Sequence, residues 1–156
     1  RGGRLSYAND HHCYLFGAGM KDLLLIGTDG SVSNLLHTTG ITAATGDGTC
    51  TFAAVGATAY FLAPDSQPTP VLVTQNTIVD LALGPSNCVF YATEKGAGCM
   101  TRPGYAWNFL QQKIVSFDYR EDRLLLLTAG REVVLIDAVS GFPSLIETAI
   151  QGSDER

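Results

Sequence analysis

Lysine and arginine are scarce in this chain, 10 against 15 aspartates and glutamates, which leaves a formal charge of −5. Binding to phosphate backbones rests on Lys and Arg displacing counterions, so no nucleic-acid partner is expected. Charged residues of both signs reach only 16%, against roughly 25% in an average domain, which excludes a disordered tail and a coiled coil. Long apolar runs are also missing. Leu23 to Ile26 and Leu124 to Leu127 are four residues each, far short of the ~20 that a membrane helix needs, so no membrane span is expected. There is no cleavable signal pattern and no Asn-x-Ser/Thr sequon, which disfavours a eukaryotic secretory history. The sequence starts at Arg1 without Met, the expectation for a processed N-terminus or for a segment of something longer. Neither a Gly-x-Ser-x-Gly elbow nor a phosphate loop ending in Lys and Ser/Thr occurs, so the motifs of nucleophilic and nucleotide chemistry are lacking.

What the chain does have is apolar residues, 46% of its 156 positions. That is enough to bury the core of one domain without disulfide or metal staples. Self-similarity is the next signal. Cys13 and Asp10 fall on Cys50 and Asp47 at a spacing of 37, and Cys88 follows Cys50 by 38. A fourth copy starts at Ile114, with Arg123 in the cysteine slot. The units run approximately 4–40, 41–77, 78–113 and 114–151, as one domain or a segment of one.

Each unit reads as four short strands rich in Val, Ile, Thr, Tyr and Phe. In the first unit they are Leu5–Ala8, Cys13–Phe16, Leu23–Gly27 and Val32–His37. Turn signals separate them, among them Asp29-Gly30, Gly46-Asp47-Gly48, Lys95-Gly96 and Ser140-Gly141. Helix caps and long 3.6-residue stripes are nearly absent. The fold class is therefore all-β, and a repeat of four strands selects a β-propeller-like array of four four-stranded antiparallel blades. The stretch Val115 to Asp137, followed by Ser140-Gly141, resembles a blade of the NHL and YWTD class of propellers. In that class an innermost strand ends near an Asp, an apolar second strand follows, and a third ends in Asp before a Gly turn. The resemblance implies a ring that usually has six blades, so that four here would be a fragment of a larger propeller.

The cysteines do not read as a disulfide framework. Cys13, Cys50 and Cys88 occupy one slot of successive blades, and packed sheets lie ~10 Å apart while bridged Cα atoms must lie within about 7 Å. A turn at Lys95-Gly96 would set Cys99 opposite Ala92 rather than Cys88. Buried free thiols follow, which points to a soluble protein in a reducing compartment. Asp10-His11-His12-Cys13 is the densest set of metal-ligand types. Neighbouring strand residues face opposite ways, so it reads as a polar hairpin turn, and neither a metal nor a cofactor is expected. A metal on the ring axis, as in some six-bladed relatives, would draw on Asn9, Asp80 and Asp118, which occupy different slots of their repeats.

Charge placement carries more information. Turns joining first to second and third to fourth strands would gather Asp10, Asp29, Asp47, Asp65, Glu121 and Asp122, partly offset by Arg102 and Arg120. The opposite face would carry Lys21, Lys95, Lys113 and Arg131, offset by Asp22, Glu94 and Glu132. Tyr105 and Trp107, on an outermost strand, are either a binding patch or blade-to-blade packing. The candidate binding residues are thus Lys21, Lys95, Lys113, Arg131, Tyr105 and Trp107. The function expected is a rigid scaffold presenting loops to a protein or small ligand. The alternatives are a hydrolase- or lyase-type enzyme of the six-bladed kind with a site at the central opening, and a purely structural assembly subunit. A protein partner, missing blades or a homo-oligomer is expected to cover the continuous apolar strands of the first and last units.

Overall fold

The computed structural model describes residues 3–85, 88–137 and 144–150, with Asp137 and 144–150 described through their backbone alone. The described residues form sixteen strands and no α-helix. The first sheet holds β1 (Gly3–Asn9), β2 (His12–Gly17), β3 (Asp22–Gly27) and β4 (Val32–His37). The second holds β5 (Ile41–Gly46), β6 (Thr51–Val55), β7 (Thr58–Leu62) and β8 (Thr69–Val73). The third holds β9 (Ile78–Leu83), β10 (Val89–Thr93), β11 (Ala97–Arg102) and β12 (Tyr105–Leu110). The fourth holds β13 (Ile114–Arg120), β14 (Arg123–Thr128), β15 (Glu132–Asp137) and β16 (Ser144–Ile150). Within each sheet the spatial order follows the chain order, and every pairing whose register is given is antiparallel. This is the blade of a β-propeller fold, four times over, as the repeat implies. The Ser140-Gly141 turn lies outside the described residues. No helix among the described residues is long and apolar enough to cross a membrane.

The chain divides into two compact units that meet between Leu81 and Ala82. In the first, strand alternation sends Tyr14 and Phe16 of β2 and Leu23 of β3 to one face of sheet 1, where they are fully buried. They pack with Ile41, Ala44, Ala53 and Leu62 of sheet 2. Small alanines opposite large aromatics let the two sheets approach. Polar links pin the stack: Ser6 Oγ donates to the Ala44 carbonyl at 2.9 Å, and Arg4 Nη1 donates to the Thr42 carbonyl at 2.7 Å. The Tyr14 hydroxyl meets Thr51 Oγ1 at 2.9 Å and accepts the Gly48 N–H at 3.1 Å. Burial raises the Tyr14 pKa above its ordinary value.

The second unit repeats this logic. Phe90 of β10 lies against Tyr119 of β13 with ring centroids 5.5 Å apart. Tyr119 shares a row with Leu124 and Ile136, and Phe117 shares one with Leu126 and Val134. Those aliphatic residues are buried.

The structure corrects two readings of the cysteines. Cys50 and Cys88 each precede their strand, whereas Cys13 is the second residue of β2, so the three do not share one slot. The β1–β2 turn pairs Asn9 with His12, while β5–β6 pairs Gly46 with Thr51 across a longer loop, and the difference displaces Cys13. Cys99 stands opposite Phe90, not Ala92, because Ala92 pairs with Ala97. The neighbouring Cys88 thiol and burial push the Cys99 thiol far up. All four cysteines are free.

Candidate functional site

β12 is the last strand of sheet 3, so one of its edges pairs with no other strand of that sheet. Its residues Tyr105, Ala106, Trp107 and Asn108 are all exposed, which leaves both faces of the strand open to solvent. Tyr105 is 56% and Trp107 40% exposed. Both rings are among the exposed large apolar side chains of the described residues.

The turn into β12 explains the arrangement. Pro103 fixes φ, and Gly104 takes φ +82°, a conformation that favours glycine, so Arg102 and Tyr105 stand directly opposite. The Arg102 guanidinium then lies 3.8 Å from the Tyr105 ring centroid. Such a stack at an exposed site contributes about 0.5–1 kcal/mol and presents the cation in a fixed pose. Trp107 sits opposite Cys99, on a strand held from beneath by the Tyr91 hydroxyl, which donates to Asn108 Oδ1 at 2.8 Å. Gly98 makes this possible, since a side chain there would strike the Tyr91 ring and the Trp107 carbonyl. Sequence reading missed Arg102, assigning it to the acidic turns. The Arg-Pro-Gly-Tyr turn was the signal that could have found it.

The far end of β12 carries the lysines. Thr93, buried at the end of β10, accepts the Lys95 N–H at 3.2 Å on its hydroxyl and shapes the turn that holds Lys95. Gly96 of that turn lies against Leu110 and Gln111. Lys113 follows, and its carbonyl accepts the Ala129 N–H at 2.9 Å, which sets the β14–β15 turn with Arg131 beside it. Lys95, Lys113 and Arg131 are therefore brought to one end of the second unit, all exposed, with Glu94 and with Glu132, whose carboxylate accepts from Gln112 Nε2 at 2.8 Å. Lys21 lies in the first unit, exposed in the β2–β3 turn.

The acids of the other set are largely occupied in shaping turns. Asp47 Oδ1 accepts the N–H groups of Thr49 and Cys50 at 2.9 and 2.8 Å, which lowers its pKa. Asp29 accepts from Ser31 at 2.9 Å and is lowered for the same reason. Asp10 and Asp122 accept from the hydroxyls of Tyr7 and Tyr119. Asp10 and His11 form the β1–β2 turn, and the Asn9 side chain accepts the His11 N–H at 2.8 Å and meets His12 Nδ1 at 3.0 Å. Among the described residues no three His, Cys, Asp or Glu side chains gather as a metal site.

The fold places the chain among β-propellers. No family model and no curated protein matches the sequence. Solved structures do match. The N-terminal domain of Nup159 is similar at 12% identity and a TM-score of 0.70, over 97% of this chain and 45% of that one. Virginiamycin B lyase from Staphylococcus aureus is similar at 14% and 0.64, over 92% and 54%. The Myceliophteria thermophila Cps50 (Swd1) β-propeller domain is similar at 16% and 0.63, over 96% and 56%. At these identities the likeness is one of fold, and the chain spans about half the length of these relatives.

Proposed function

We propose that this chain is a protein-binding scaffold of the β-propeller type, similar in blade to the NHL and YWTD class, and that it engages its partner at the edge of sheet 3. The observation that carries this reading is the composition of β12. Edge strands are normally blunted by charge or proline. Pro70 lies within β8, and β4 ends at His37, which pairs with Asp22 at 2.6 Å. Tyr105 to Leu110, Tyr-Ala-Trp-Asn-Phe-Leu, has neither charge nor proline and displays two aromatic rings. Arg102 stands at one end, and Lys95 and Lys113 at the other, on a chain that is negative as a whole. This composition suits an extended acidic segment that adds to the sheet edge through its backbone and sets apolar side chains on Tyr105 and Trp107. Nup159 offers a parallel, having been seen in a complex with Dbp5 and Gle1.

The test is binding of a fluorescently labelled, Glu-rich extended peptide with interspersed Leu and Val, followed by anisotropy. Trp107→Ala and Tyr105→Ala should each weaken it about tenfold or more, and Lys95→Glu with Lys113→Glu should weaken it further at low salt. A basic peptide of the same apolar pattern should bind far less well. Equal affinity for wild type and both aromatic variants would remove β12 as the site.

A further inference from the structure

The hydrogen-bond parity of sheet 3 decides which backbone groups β12 offers at its open edge. The Thr93 N–H donates to the Gly96 carbonyl at 2.7 Å. That pair continues the register of Tyr91 with Gly98 and Val89 with Met100, so these are the hydrogen-bonded pairs of β10 and β11. Cys99 lies between them in sequence and turns its N–H and C=O the other way, to β12, where its partner is Trp107. Trp107 therefore uses its backbone groups on β11. Its neighbours Ala106 and Asn108 direct theirs to the open edge.

Side chains follow the same alternation. Tyr105 and Trp107 share one face of β12, the face of Cys99. Asn108 belongs to the other face, in the row Tyr91–Gly98–Asn108. There the hydroxyl of the buried Tyr91 donates to Asn108 Oδ1 at 2.8 Å. This bond fixes the amide and leaves Nδ2 as the donor of an exposed side chain.

Resting on the β12 reading, we propose that the partner is a five-residue segment antiparallel to β12, in the order acceptor, apolar, small, apolar, acidic, and that Asn108 selects its first residue. Antiparallel pairing continues the pattern of β10 to β12 and is the more stable per residue. The first and third residues face Asn108 and Ala106 and exchange backbone hydrogen bonds with them. The second and fourth face Trp107 and Tyr105 as non-hydrogen-bonded pairs, the kind that brings side chains closest, with Cα atoms about 4.5 Å apart. The fifth passes beyond Tyr105 to the Arg102 guanidinium, which suits a carboxylate. At the first position Asn108 Nδ2 accepts Glu or Gln and rejects Lys, which has no acceptor.

The probe is a labelled Glu-Leu-Ser-Val-Glu peptide with Gly-Ser flanks, followed by anisotropy on the full chain. N-methylation of the first Glu or of the Ser should weaken binding about tenfold each, since each removes a backbone hydrogen bond to β12. N-methylation of the Leu, whose N–H points away from β12, should change it by less than about twofold. Asn108→Asp keeps the oxygen that Tyr91 bonds and replaces the amide donor by a carboxylate oxygen. It should therefore reverse the preference for this peptide over Lys-Leu-Ser-Val-Glu, with circular dichroism confirming the fold. The two readings fail separately. No binding of the parent peptide, or Trp107→Ala binding it as wild type does, would remove the edge and this proposal with it. Where Trp107→Ala does weaken binding, two results would overturn the register and the role of Asn108 while the β12 site stands. One is an inverted methylation pattern, and the other is an Asn108→Asp chain that ranks the two peptides as wild type does.

Discussion

Tyr14 shows how one residue joins two sheets. Its ring fills the space over the sheet 2 alanines, and its hydroxyl satisfies Thr51 and the Gly48 N–H. Tyr14→Phe should cost about 1–2 kcal/mol, because the Gly48 N–H and the Thr51 hydroxyl lose a partner. The same phenol couples stability to alkali. Burial raises its folded pKa above the ordinary tyrosine value, so the native state holds the proton more tightly than the unfolded state does. Its contribution is fully present below about pH 10 and is lost as pH climbs through the folded value. Urea midpoints measured from pH 9 to 11 should fall, and fall less steeply in Tyr14→Phe. An unchanged slope would place the hydroxyl in solvent. The cysteines offer a second check at this scale. Cys88 and Cys99 are buried, while Cys13 and Cys50 are partly exposed. Alkylation of the native protein should modify the latter pair first, and all four should react in denaturant without reductant. Equal native reactivity of all four would contradict the register of β10 and β11.

The strands themselves were largely legible, because period-two alternation and Gly/Asp punctuation are local signals. Turn position was not. Reading a two-residue turn at Lys95-Gly96 set Cys99 opposite Ala92, whereas the Thr93 N–H donates to the Gly96 carbonyl at 2.7 Å, which puts the turn one residue earlier and slips the register by two. The slip keeps every side chain on its own face, so the core was readable while its neighbours were not. In the same way, composition marked Tyr105 and Trp107 but could not say that Pro103 and Gly104 fold Arg102 back onto the Tyr105 ring. Trp107 is the only tryptophan in the chain and reports directly on this strand. Its emission should be red-shifted and readily quenched by acrylamide; a blue-shifted, unquenchable signal would mean that the edge is covered. Gly98→Ala should cost about 1–3 kcal/mol by forcing β11 and β12 apart, and should alter that emission as well.

At the scale of the whole chain, the repeat was visible in the sequence as a spacing of 37 to 38, yet the slot it assigned to Cys13 was wrong because hairpin loops differ in length between units. What survives such slips is the plan of four strands per sheet, with a covered pair in the middle and an edge on either side. Amide hydrogen exchange across the chain tests that plan most directly. Second and third strands are hydrogen-bonded on both edges, so β2, β3, β6, β7, β10, β11, β14 and β15 should be the slowest, in four evenly spaced blocks. β12 should exchange faster than β11 and slow when the acidic peptide is added. Protection without a fourfold period, or a β12 as protected as β11 in the free protein, would contradict the account.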